Sequence, residues 1–181
     1  MTSYVKFDKW LTSDGSARNV VVQTVEYFKT DSMVVSCPNG NLWYDASGFL
    51  ATITPKFADS KILLMCTLNW SSQYWEHAGR FTRNGTAIGI GGRPSPYSAS
   101  APQAGFCNNK GMIHDNGRNN VCTSGYTFLD SPGTTSAVTY QLQVSGYAGN
   151  NVNINRSHYY SDGTDYDAST VSSLILMEIQ Q

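Results

Sequence analysis

The stretch Lys61-Ile62-Leu63-Leu64-Met65-Cys66-Thr67-Leu68-Asn69-Trp70 decides the fold class. Alternate residues of a strand share a face. Ile62, Leu64, Cys66, Leu68 and Trp70 therefore fall on one side, and Leu63, Met65, Thr67 and Asn69 on the other. The first side is apolar throughout and the second is apolar at its start. That pattern predicts a central strand, buried on both sides.

The neighbouring segments repeat the alternation, and none carries a convincing helical period. Upstream, Asn19 to Phe28 reads as a long strand and Met33 to Cys37 as a short one. The turn signal Asn39-Gly40 leads into extended pieces at Leu42 to Tyr44 and Phe49 to Thr54, and Pro55 stops the second. Downstream, Gln73 to Thr82 runs through the tight hairpin Arg83-Asn84-Gly85-Thr86 into Ala87 to Gly91. The pattern dissolves from Gly92 to Asn120 into a long loop, a kind of segment that is often functional. Strands resume at Val121 to Leu129, Thr135 to Gly146, Asn151 to Arg156 and Val171 to Ile179. In the second of these, Val138, Tyr140, Leu142 and Val144 face inward, with Thr139, Gln141, Gln143 and Ser145 outward. About nine or ten strands at this spacing predict one all-β domain over residues 19–181, an antiparallel β-sandwich of jelly-roll type. An N-terminal arm, residues 1–18, precedes it.

Composition narrows the function classes. The chain has 181 residues, enough for a core without metals or disulfides. Charged residues are only 14%, and polarity comes from Ser, Thr, Asn, Gln and Gly together with 11 Tyr and 4 Trp. Such surfaces recognise partners through hydrogen bonds and flat rings rather than charge. The net charge of −1 and the absence of a basic run argue against a nucleic-acid partner. The start MTSYVKFDKW lacks the features of a secretory signal. The run Ile62 to Cys66 is too short to span a bilayer, so membrane insertion is not expected.

Candidate sites are few. Cys37, Cys66, Cys107 and Cys122 form no CxxC pair, and Cys66 reads as a reduced, buried thiol. Cys107 and Cys122 flank a loop and could close it as a disulfide, but nothing indicates an oxidising compartment. His77, His114 and His158 are far apart in sequence and show no zinc spacing. No GxSxG elbow supports a serine nucleophile, and Glu26, Glu76 and Glu178 each lie in a strand pattern. Asp162, Asp165 and Asp167 share a loop that could hold Ca²⁺, although solvated turn acids are commoner. No catalytic residue, metal or cofactor is therefore expected. Tyr159 and Tyr160 are adjacent, so on a strand they face opposite ways, and with Tyr97 they are candidates for a binding surface in the loops. In the arm, Tyr4, Phe7 and Trp10 are apolar for a free terminus and are candidates for an anchor.

Several of these segments resemble a family of tailed-phage virion proteins. Ile53-Thr54-Pro55 followed by Ser60-Lys61-Ile62-Leu63-Leu64 is similar to its "SITP…SKILV" signature. Arg83 to Gly89 resembles its "RGSTAIG" hairpin, and Phe128 to Ser136 its "FLDSPST" turn. Asn155-Arg156-Ser157 and Leu174 to Ile179 resemble its closing "NRS…LTLMEI" strands. The set runs in order over roughly residues 20–180. The resemblance implies a jelly-roll or tumour-necrosis-factor-like sandwich that assembles as a homotrimer on the virion surface. It also implies contact with other capsid or tail proteins, with a host glycan or protein as a further partner. The motifs are structural and bring no catalytic residue. Two roles fit: a capsid decoration protein, or a short fibre or receptor-binding tip. The short arm before the first strand favours decoration slightly. The alternative is a carbohydrate-cleaving or carbohydrate-binding sandwich, which new reducing ends on a polysaccharide would reveal.

Overall fold

The Lys61 stretch is the hub of its sheet. The computed structural model describes residues 19–40, 42–72, 77–92, 103–108, 121–146, 150–158 and 169–181. Among them eleven strands form and no helix: β1 (Val20–Lys29), β2 (Met33–Cys37), β3 (Tyr44–Ile53), β4 (Lys61–Ser72), β5 (His77–Arg83), β6 (Thr86–Ile88), β7 (Phe106–Asn108), β8 (Cys122–Asp130), β9 (Val138–Gly146), β10 (Asn150–Ile154) and β11 (Ser172–Gln180). β4 pairs β8 along one edge. Its other edge takes β11 over Lys61 to Thr67 and then β10 over Trp70 to Ser72. β1 lies outside β11 and β2 outside β10, so the two rows on that side of β4 are built from two strands each.

The second sheet has the order β3-β9-β5, with β6 and β7 sharing the far edge of β5. Merging split strands leaves eight rows, four per sheet. Numbered along the chain they run 1-8-3-6 in the first sheet and 2-7-4-5 in the second. That order, antiparallel throughout, is a jelly roll.

Between the layers lies one core containing Phe49, Ile53, Ile62, Leu64, Leu68, Trp70, Phe81, Tyr140, Leu142, Ile154, Leu174 and Leu176, all fully buried. Trp70, Phe81, Phe106, Tyr126 and Phe128 make contiguous ring contacts at centroid distances of 5.3–6.4 Å. Trp70 also donates from Nε1 to Ser124 Oγ at 2.9 Å, so its indole is buried without an orphan donor.

Buried polar groups hold the layers in register. Asp130 at the end of β8 accepts from Arg83 Nη1 at 2.9 Å and from the Tyr140 hydroxyl at 2.7 Å, joining the first sheet to two strands of the second. Burial, with Asp130 alongside, pushes the Tyr140 hydroxyl well above its ordinary range. Glu178, fully buried on β11, accepts from the backbone N–H groups of Lys56 and Phe57 and from Gln23 Nε2. The carboxylate thereby fixes the chain just after Pro55.

Four sequence expectations need correcting. The extended pieces around Tyr44 and Phe49 form one strand, broken in register between Asp45 and Leu50, where Gly48 takes a φ of 83°. The long loop after Gly92 contains β7, whose Phe106 fills the core beside Gly79. Ser145, expected to face solvent, is buried. And β4 is not buried on both sides, because Met65 and Thr67 are exposed. The described residues leave the outer face of the first sheet open along β1, β11, β8 and the Lys61 to Thr67 part of β4, while further along it Ser71 and Asn153 are buried under the Arg156 to His158 turn.

Candidate functional site: an apolar sheet face

Residues paired directly across antiparallel strands point to the same side, so the ladder register maps this outer face. One rung runs Val21, Ile179, Lys61; the next Thr24, Met177, Leu63, Leu129; the next Glu26, Ile175, Met65, Thr127. A fourth runs Phe28, Ser173, Thr67, Gly125. Val21, Phe28, Met65 and Leu129 are 50, 55, 39 and 46% exposed, and Leu63, Ile175, Met177 and Ile179 are half-buried between them. Eight large apolar side chains from four adjacent strands thus form a continuous patch. Single exposed apolar residues are ordinary; a contiguous patch marks an interaction site.

The outer face of the second sheet is built differently. Thr52 and Thr139 share a hydrogen bond at 2.8 Å, and Gln141 Nε2 donates to the carbonyls of Ala46 and Phe49. Arg80 lies over the Trp43 ring at 4.3 Å and donates from Nε to Gln143 Oε1 at 2.8 Å. Gln143 passes the chain on to Asp45 at 2.9 Å. This is a hydrogen-bonded polar layer suited to water. The two faces of one sandwich therefore have opposite character.

The candidate residues Tyr4, Phe7, Trp10, Tyr97, Tyr159 and Tyr160, and the loop Asp162 to Asp167, lie outside the described residues. Trp70 is core. All four cysteines are free, with Cys107 exposed on β7 of the second sheet and Cys122 half-buried on β8 of the first. Burial pushes the Cys66 thiol up to about 12, and burial also raises that of Cys37. The thiolate is the reactive form. A thiol reagent at pH 8 should therefore label Cys107 first and Cys122 more slowly. Cys37 and Cys66 should react only after denaturation, which peptide mapping of the labelled protein checks. Fast native labelling of Cys66 would contradict the packing around β4.

Because Lys61 to Trp70 and Val171 to Ile179 both read as apolar on two faces, sequence reasoning found five of the eight, on β4 and β11, and missed Val21, Phe28 and Leu129. The signal was present in the alternation of β1, where Val21, Thr24, Glu26 and Phe28 share a face once the bulge after Val21 is counted.

No family model matches the chain, and no curated protein matches it. Among solved structures it is similar to the VP2 subviral particle of infectious bursal disease virus, at 10% identity and a TM-score of 0.41. The match covers 99% of this chain and 45% of that one, so the chain spans less than half the length of VP2. The jelly-roll assignment stands on the strand order described above.

Proposed function

We propose that the chain is a non-enzymatic structural protein on the surface of a tailed-phage virion, and that it works as a homotrimer. The observation that carries this reading is the contrast between the two sheet faces. One is dressed for water by Thr, Gln and Arg side chains. The other exposes Val21, Phe28, Met65 and Leu129 in one patch, which a neighbouring subunit would cover. The motifs that resemble the phage family support the reading, because the residues in them build turns and buried braces. On the particle the protein serves as a capsid decoration or as a short fibre tip. Tyr4, Phe7 and Trp10 of the arm anchor it to other virion proteins. The loops bearing Tyr97, Tyr159 and Tyr160 face a host glycan or protein.

Light scattering at micromolar concentration should give three times the 19.8 kDa chain mass. Met65→Asp, which adds a charge in the middle of the patch, should leave the melting profile of a folded sandwich and return the mass to that of one chain. Wild-type protein that is monomeric under these conditions would remove the trimer. Counting copies in purified particles of the encoding phage then separates the roles, with hundreds marking a decoration protein and tens a fibre. Absence from the particle would overturn the virion assignment.

A further inference from the structure

Among the described strand residues on the apolar face, two carry charge: Glu26 on β1 and Lys61 on β4. Neither forms an ion pair or side-chain hydrogen bond with another described residue of its own chain. They cannot reach each other. Glu26 is opposite Ile175, and Lys61 is opposite Ile179, four residues further along β11 and on its other side. That places them ~13 Å apart along the strands and ~10 Å across them, whereas an ion pair needs ~4 Å. An acid and a base thus stand diagonally apart in an apolar surface, each unpaired among the described residues, with zero net charge between them. Burying this face against an uncharged partner would strand both charges, at a cost that disfavours the complex. A second copy of the same chain brings a base for the acid and an acid for the base.

We propose that the face docks on another copy of this chain with Glu26 of one protomer against Lys61 of the next. The inference rests on assembly through this face, and specifies its register. In a closed ring every contact is head-to-tail, so each protomer donates one Glu26 and one Lys61, and no charge is left over. Such a pair fixes which of the many ways of stacking two apolar sheets is adopted, since a shifted arrangement leaves like or lone charges facing apolar side chains.

The test is a charge exchange followed by sedimentation equilibrium on the full chain. Glu26→Lys and Lys61→Glu each place like charges across the contact. Each should raise the concentration at which the assembly half-dissociates by at least ~10-fold. The double variant Glu26→Lys with Lys61→Glu restores the pairing in reverse and should return to within ~threefold of wild type. Circular dichroism should show all three folded, because both positions lie on the outer face. A double variant as weak as the single ones overturns the pairing while leaving assembly through the face intact. Assembly unchanged in all three variants overturns it too. A wild-type protein that stays monomeric removes both the pairing and the trimer, and apolar contact with a different virion protein then becomes the use of the face.

Discussion

Leu64→Asp is expected to leave no cooperatively folded protein. Leu64 is fully buried at the centre of β4, between Leu176 of β11 and Phe128 of β8 on the flanking strands. Removing a leucine from such a site costs ~2–5 kcal/mol in lost transfer energy and cavity. An aspartate there also brings a carboxylate into an apolar layer, costing several kcal/mol more whether it stays charged or takes up a proton. Together these match the ~5–15 kcal/mol by which a domain of this size is stable. Expression should yield insoluble chain, or soluble chain without a melting transition by calorimetry. A Leu64→Asp protein that melts cooperatively would show that the face assignment of β4 is wrong. The contrast with Met65→Asp sharpens the test. Met65 is the next residue on the strand and faces the opposite way, so the same change there should cost assembly and not folding.

How much of this was legible in the sequence depends on how far the deciding contacts reach. β4 and β9 are plain in the sequence because alternation is a property of consecutive residues, and burial follows it from Lys61 to Trp70 and from Val138 to Val144. The Asn84-Gly85 hairpin is equally local. Both residues take positive φ, 48° and 85°, as a two-residue hairpin turn requires, and Asn84 Oδ1 also accepts the Thr139 N–H at 2.9 Å. β7 is invisible by comparison. Its three residues are strand only through pairing with His77 to Gly79, and its place depends on Phe106 lying where a side chain on Gly79 would collide. The apolar second face of β4 was visible, but alternation records only that something covers a face. It cannot say whether the cover belongs to the same chain. The candidate tyrosines and arm aromatics were read from residue type alone, with no pattern to place them.

Asn155 is where sequence and structure differ most, and its replacement is the second large effect expected. In sequence it is the start of Asn-Arg-Ser at the end of a strand. In the fold it is fully buried with a φ of 61°, at the point where the β10–β11 row is interrupted. Its N–H donates to Asn69 O at 2.8 Å, continuing the β4 edge between the β11 and β10 ladders. Its carbonyl accepts from Thr170 N, closing the base of the excursion between the two strands. Its side chain bridges the break between β1 and β2, with Nδ2 donating to Lys29 O at 2.7 Å and Asp31 O at 3.0 Å. Oδ1 accepts from Ser172 Oγ at 2.6 Å, and that oxygen in turn accepts from Asn69 N. One amide thus joins three rows of the first sheet. Asn155→Ala removes every side-chain bond and leaves buried carbonyls and a hydroxyl short of partners, at ~1–3 kcal/mol for each group left unsatisfied. It also places a Cβ-bearing residue without a compensating side chain in the left-handed region, for a further ~1–2 kcal/mol. A loss of roughly 4 kcal/mol or more is expected, read as a fall in the urea midpoint at fixed protein concentration. Asn155→Gly keeps the backbone conformation and should be milder than Ala by the strain alone. Asn155→Asp should be the worst of the three, since it turns a carboxylate oxygen towards two carbonyls that need a donor. Should Asn155→Ala melt within ~1 kcal/mol of wild type, the residue would be a surface turn and not the brace of the sheet.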